Sequence, residues 1–273
     1  MQTLIVGTDF SKPANNAVDY AALLSRYLSA RLILVNAFHM PLQGYNSLSP
    51  VSVASELQRH SESQLDIIKS TLLANSYDFG IEIYSSLGSA TTVLKEAVNK
   101  YLGDLVVMGM TGEGIALKEI FIGSSAVSAL KELKVPVLIV PQQVTYQPIK
   151  RITLACDLEH VEESTLMYSA RYFAKLFNAE LEIVTVQNRE KETHADNKHT
   201  QTFIEKTLDG VKHKQVFIEE DNILKGLEYY LKFHETDLVI VNPKKHKFFE
   251  KLLNASVSKH IAYHSTKPVL FIQ

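Results

Sequence analysis

The chain has 273 residues, 46% apolar and 21% charged, with a formal net charge of −2 at pH 7. That is enough apolar material for the core of one large or two modest domains, and the bulk charge carries no nucleic-acid or membrane footprint. A single cysteine, Cys156, excludes an internal disulfide framework and a cysteine-rich zinc site, and points to a reduced, cytoplasmic chain.

Met1-Gln2-Thr3 carries no basic n-region, and Asp9 interrupts the first apolar run early, so no signal peptide is expected. No apolar run approaches the length of a membrane span; Val135 to Val140 is far too short. Leu4-Ile-Val-Gly-Thr-Asp9 reads as a short strand that ends in an aspartate. Ala14 to Leu28 places Ala17, Val18, Ala21, Leu24 and Leu28 on one helical face. Arg31 to Val35 is a second strand. His39 to Pro50, broken by Pro and Gly, predicts a loop, and a helix follows from about Ser52 to Ala74. Val93, Leu94, Ala97, Val98 and Tyr101 share another helical face. Asp104 to Gly109 is a strand, and so is the run after Pro136.

The same order then recurs. Ile152-Thr-Leu-Ala-Cys-Asp157 repeats the first strand and its aspartate, and Glu180 to Val184 repeats the second strand. Between them, Tyr168 and Ala170 are read in step with Tyr20 and Ala22. Asp237-Leu-Val-Ile-Val-Asn242 matches Asp104-Leu-Val-Val-Met-Gly109, and Lys267-Pro268-Val matches Val135-Pro136-Val. The offset drifts from 148 (157 minus 9) to 132 (268 minus 136), so the second copy is the shorter. Two domains are expected, 1–143 and 148–273, with a boundary in Pro141 to Pro148. Short apolar strands alternating with amphipathic helices predict the α/β class: two tandem doubly wound domains, each with a roughly five-stranded parallel sheet flanked by helices. The second copy carries a polar stretch, Asn188 to Lys198, where a solvated loop is expected.

In such sheets ligands bind beyond the carboxyl ends of the strands, at the switch point. Asp9 and Gly109 sit at two such ends. Gly109-Met-Thr-Gly112 and, further on, Gly123-Ser124-Ser125 flank the loop after the fourth strand, and a helix-like segment from Ala126 to Glu132 follows. Glycines let backbone approach a ligand, and a helix N-terminus offers free N–H groups, so the stretch reads as a phosphate cradle. A plain turn with Ser124 as helix cap is the competing reading. No Gly-Lys-Ser/Thr follows, so it is not a Walker A loop, and it follows the fourth strand, so it is not a dinucleotide fingerprint.

Thr8-Asp9-Phe10-Ser11, together with Gly109-Met-Thr-Gly112 and Gly123-Ser124-Ser125, resembles the nucleotide-binding branch of the universal stress proteins, and the whole chain resembles a tandem member. The resemblance implies that Thr8, Asp9 and Val35 border the adenine and ribose. It implies that Met108 and Gly109 line the ribose side, and that Gly112, Gly123, Ser124 and Ser125 hold phosphates. Two departures stand out. Ten residues, Glu113 to Ile122, lie where the family pattern has nine, and Thr111 stands where a basic side chain or histidine is common. Lys118 reads as a surface residue.

In the second copy the matching stretch, Asn242 to Val257, has neither glycine, and Pro243 removes a backbone donor. A degenerate site is expected there, with Asp157 left without phosphate partners. Lys244-Lys245-His246-Lys247 reads as a solvated loop.

Other constellations offer less. Eight of the ten histidines follow residue 150; neither His194 with His199 nor His260 with His264 has a third ligand in sequence to make a metal site. Cys156 is read as a buried, inert thiol. Ser11, Ser124 and Ser125 lack an activating base, which argues against a dedicated hydrolase.

The expected function is a stress-response regulatory protein that holds an adenine nucleotide (ATP, ADP or AMP, with Mg²⁺ accompanying ATP) in its N-terminal domain. The alternatives are a nucleotide-free interaction scaffold and a weak Mg-dependent ATPase. The expected partners are the nucleotide and, through Val137 to Val140 and Val269 to Ile272, an intramolecular pseudo-dimer of the two domains, with homodimerisation open. Neither membrane nor nucleic acid is expected as a partner.

Overall fold

The computed structural model describes residues 1–40, 50–75, 80–110, 124–158, 161, 165–187, 198–242 and 267–272. These fall into two compact units, one ending at Tyr146 and one beginning at Gln147.

The first unit runs β1 (Thr3–Gly7), α1 (Lys12–Leu28), β2 (Arg31–Phe38), α2 (Pro50–Ala74), β3 (Ile81–Leu87), α3 (Ala90–Tyr101), β4 (Leu105–Met110), α4 (Ser124–Glu132) and β5 (Val137–Pro141). Its strands lie in the order β3-β2-β1-β4-β5, all parallel. The central strands are buried along nearly their whole length, which is why they read as unbroken apolar runs. β1 has β2 on one side and β4 on the other, so the chain reverses direction there and opens a crevice at the carboxyl ends.

Local chemistry sets the helix limits. Ser11 caps α1 by accepting the Ala14 N–H at 3.4 Å, and Pro13 sits in the first turn, where its missing N–H costs nothing. Ser29, with φ of 51°, ends the helix in the left-handed region. Ser89 caps α3 at 3.2 Å, and Leu102 ends it with φ of 53°. α2 begins at Pro50, two residues before the expected start, because proline is accommodated in a first turn. α4 begins at Ser124, so both serines belong to its first turn.

The second unit runs β6 (Arg151–Ala155), α5 (Leu166–Phe177), β7 (Glu180–Gln187), α6 (Lys198–Thr207), β8 (His213–Glu219), α7 (Ile223–Phe233), β9 (Leu238–Val241) and β10 (Val269–Phe271). Its parallel order, β10-β9-β6-β7-β8, is that of the first unit. The shared aspartate has a structural reason. Asp104 Oδ2 accepts the N–H groups of Gln2 at 2.6 Å and Thr3 at 3.0 Å; Asp237 Oδ2 accepts those of Lys150 and Arg151, each at 2.9 Å. In both units it closes the entry to the first strand.

One reading of the repeat needs correcting. Tyr168 is not the counterpart of Tyr20. Ser29 and Asn178 are matching left-handed helix ends, 149 positions apart (178 minus 29), whereas Gly7 and Ala155 match at 148 (155 minus 7). The extra residue enters before α5, so Ser169 aligns with Tyr20. Burial agrees: Tyr20 is 2% exposed and Tyr168 is 55% exposed.

Residues 41–49 of the loop after His39, the polar stretch 188–197 with His194, and residues 243–266, which hold Lys244 to Lys247, His260 and His264, lie outside the described residues. Among the described residues no helix is long and apolar enough to cross a membrane, and no group of three potential metal ligands occurs.

Candidate functional site

A cavity of about 170 Å³ opens at the carboxyl ends of β1, β2 and β4. Gly7, Thr8 and Asp9 form one wall, and Val35 and Ala37 of β2 form the next. Met108 and Gly109 come from β4, Ala90 and Leu94 from α3, and Ala126 from the first turn of α4. Five residues singled out from the sequence (Thr8, Asp9, Val35, Met108 and Gly109) therefore meet around one space.

The turn after β1 is closely held. The Thr8 N–H donates to Val35 O at 2.9 Å, carrying the ladder one residue beyond the strand. Thr8 Oγ1 accepts the Phe10 N–H at 3.0 Å, and Asp9 Oδ1 accepts the Ser11 N–H at 3.0 Å. Phe10 has φ of 64°, a left-handed conformation that reverses the chain into α1. Asp9 is exposed, and its Oδ2 has no partner among the described residues.

Glycine is required at the end of β4 by packing. A Cβ at Gly109 would lie 2.3 Å from Pro13 O and 2.9 Å from Ala14 N. The start of α1 therefore rests directly on the strand backbone. Gly7 faces the other side of the sheet, where an added Cβ would meet Leu94 at 3.4 Å. β1 and β4 thus place α1 and α3 on opposite faces.

Gly112 and Gly123, with Thr111 and Lys118, lie outside the described residues. Ser124 and Ser125 open α4, which packs inward through Ala126, Ala129 and Leu130. Gly7, Ala37, Ala90, Leu94 and Ala126 also line the cavity and were not among the expected site residues. Strand alternation from Val35 leads directly to Ala37; the helical residues carry no comparable sequence signal.

The second unit has a differently filled counterpart. The strand registers align Ala155 with Gly7, Val184 with Val35, and Val241 with Met108. Val186 thus replaces Ala37, and Asn242, 4% exposed, replaces Gly109. A Cβ added at Gly226 of α7 would meet Val186 Cγ1 at 2.6 Å, so the valine fills the space beneath that helix. Cys156 is buried, and burial, with Asp157 beside it, pushes its thiol far above the ordinary range. Buried in this way it packs as a small apolar side chain.

The first unit's cavity has apolar walls, one exposed carboxylate at its rim and a helix beginning beside it. That combination suits a ligand with a flat apolar body, hydrogen-bond donors and an anionic end.

The family model described as the universal stress protein family matches residues 1–141. Among solved structures, a universal stress protein from Archaeoglobus fulgidus DSM 4304 is similar over 99% of this chain and 96% of its own, with a TM-score of 0.75 and 16% identity. A putative universal stress protein from Pseudomonas aeruginosa UCBPP-PA14 is similar over 100% of this chain and 93% of its own, with a TM-score of 0.60 and 10% identity. At these identities the likeness speaks for the fold. No curated protein matches the sequence significantly. The family match, spanning just over half of the chain, places this protein in the universal stress protein family.

Proposed function

We propose that the first unit binds an adenine nucleotide and that the protein acts as a nucleotide-responsive regulator in the stress response. The observation that carries this reading is the cavity, which gathers Thr8, Asp9, Val35, Met108 and Gly109 at the switch point of the sheet. Val35, Ala37 and Leu94 offer the base apolar faces. The Asp9 carboxylate accepts from the exocyclic amine of adenine. The first turn of α4, with Ser124 and Ser125, and the glycines Gly112 and Gly123 receive the phosphates, through N–H groups and the helix dipole. Mg²⁺ accompanies the ligand if it is ATP.

The second unit, on this reading, does not bind nucleotide. Val186 and Asn242 stand where the first unit has Ala37 and Gly109, and the glycine pair of the cradle has no counterpart in its sequence.

The test is to purify the protein without added nucleotide, denature it, and identify what is released by chromatography and mass spectrometry. Gly123→Val is the control. An adenine nucleotide released from the wild type and missing from the variant is the expected result. A wild type that releases nothing, and that also fails to bind ATP, ADP or AMP at millimolar ligand, refutes the proposal and favours a nucleotide-free scaffold.

A further inference from the structure

The β2 run from Leu32 to Ala37 is apolar except for Asn36, which is only 5% exposed. A buried amide must find partners, and this one has them on both sides. Asn36 Nδ2 donates to the carbonyl of Thr8 at 2.7 Å. Asn36 Oδ1 accepts from Ser61 Oγ of α2 at 2.6 Å, and Ser61 Oγ accepts from Ser85 Oγ of β3 at 2.6 Å. The single Ser61 proton goes to Asn36, so Ser85 is the donor to Ser61. All three bonds then point one way, from β3 through α2 and β2 to the Thr8 carbonyl, and aligned bonds of this kind reinforce one another.

We infer that Asn36 is a positioning residue of the cavity, holding the Thr8–Asp9 peptide so that the Asp9 carboxylate meets the amine of a bound adenine; this rests on the nucleotide reading above. Side chains alternate along β2, so Val35 and Ala37 face the cavity and Asn36 faces away from it. It cannot touch the ligand and acts only through Thr8. The Thr8 carbonyl belongs to the rigid peptide plane that leads into Asp9. With its N–H bonded to Val35 O and its Oγ1 to the Phe10 N–H, Thr8 is fixed at three atoms. Asp9 hangs between that fixed plane and the left-handed Phe10.

The equivalent carbonyl of the second unit also receives a side-chain donor. Thr185 is the counterpart of Asn36, and its Oγ1 donates to Cys156 O, the counterpart of Thr8 O, at 2.9 Å. Two different side chains thus deliver the same bond. Asparagine delivers it from the amide nitrogen and leaves a separate carbonyl oxygen, which Ser61 of α2 grips.

The experiment compares Asn36→Val and Asn36→Thr in the full-length protein by titration with AMP and IMP. IMP carries a carbonyl where AMP carries the amine, so the alignment of Asp9 separates the two. In Asn36→Val the affinity for AMP falls about tenfold while that for IMP stays put. The AMP-to-IMP ratio falls with it, and Asn36→Thr restores most of the ratio. A merely structural role would weaken both nucleotides alike, and an unmoved ratio overturns the inference. Hydrogen exchange without ligand gives a second readout. The Ser11 amide, which donates to Asp9 Oδ1, exchanges faster in Asn36→Val and returns to wild-type protection in Asn36→Thr; unchanged exchange overturns the inference. Ser61→Ala, which removes the grip on Oδ1 and the Ser85 bond behind it but leaves the bond from Asn36 to Thr8, serves if Asn36→Val does not fold, and shifts both readouts in the same direction by less. If the wild type binds neither nucleotide, the nucleotide reading fails, and the exchange result alone decides whether Asn36 holds Asp9.

Discussion

Gly109 and Pro13 meet backbone to backbone: a Cβ on the glycine would stand 2.3 Å from the proline carbonyl oxygen and 2.6 Å from its carbon. No side-chain rotation can relieve that contact. Gly109→Ala therefore displaces the start of α1 and destabilises the first unit by about 1–3 kcal/mol. The midpoint of urea unfolding checks it. A midpoint equal to wild type would mean that α1 shifts at no cost.

The end of α3 offers a stabilising change. Leu102 adopts φ of 53° and is 80% exposed, so it bears left-handed strain while burying little. Leu102→Gly removes that strain at the price of some unfolded-state entropy. A net gain of about 0.5–1 kcal/mol is expected, seen as a higher Tm.

Asp104 and Asp237 perform one task in two places. Each carboxylate gathers two N–H groups at the start of its unit's first strand. Asp104→Ala and Asp237→Ala each cost about 1–2 kcal/mol, because the inner N–H of each pair loses its partner at a half-buried position. Thermal unfolding of the two variants measures both costs.

Glu182 makes the second unit sensitive to acid. Burial raises its pKa, but hydrogen bonds from Lys214 and Tyr230 and the charges of Lys214 and His234 outweigh burial and hold it below its ordinary value of 4.5. Lys214 Nζ lies 2.6 Å from Glu182 Oε1, Tyr230 donates to Oε2, and His234 stacks on the Tyr230 ring at 4.0 Å. A carboxylate depressed in the folded state contributes stability above its unfolded pKa, and that stability is lost as pH falls through the folded value. The loss begins from about pH 5 downward. Glu182→Gln is less stable at pH 7 by about 1–2 kcal/mol. Its stability declines less steeply on acidification, as urea unfolding at stepped pH will show.

The small residues around the cavity set its room. Ala37→Val copies the residue of the second unit into the first. It abolishes nucleotide binding while the fold is kept, with circular dichroism unchanged and no nucleotide released on denaturation. Retained nucleotide in this variant would mean that the ligand does not enter along β2.

The sequence by itself determined the class of fold, the strand-and-helix order and the duplication. These depend on periodicity, and buried strands beside amphipathic helices can be read from apolar spacing alone. Chain order also put Asp9 and Gly109 at strand ends beside a switch point, whereas Thr8, Val35 and Met108 followed only from the family resemblance. The match of Tyr20 with Tyr168 failed because one inserted residue rotates a helix by about 100°, which no local similarity reveals. Asn36, Ala90, Leu94 and Ala126 were decided only by the tertiary structure. Their roles come from neighbours 25 or more positions away in the chain, such as Ser61 against Asn36. A hydrogen bond or a cavity wall of that kind exists only once the sheet and its helices have closed around it.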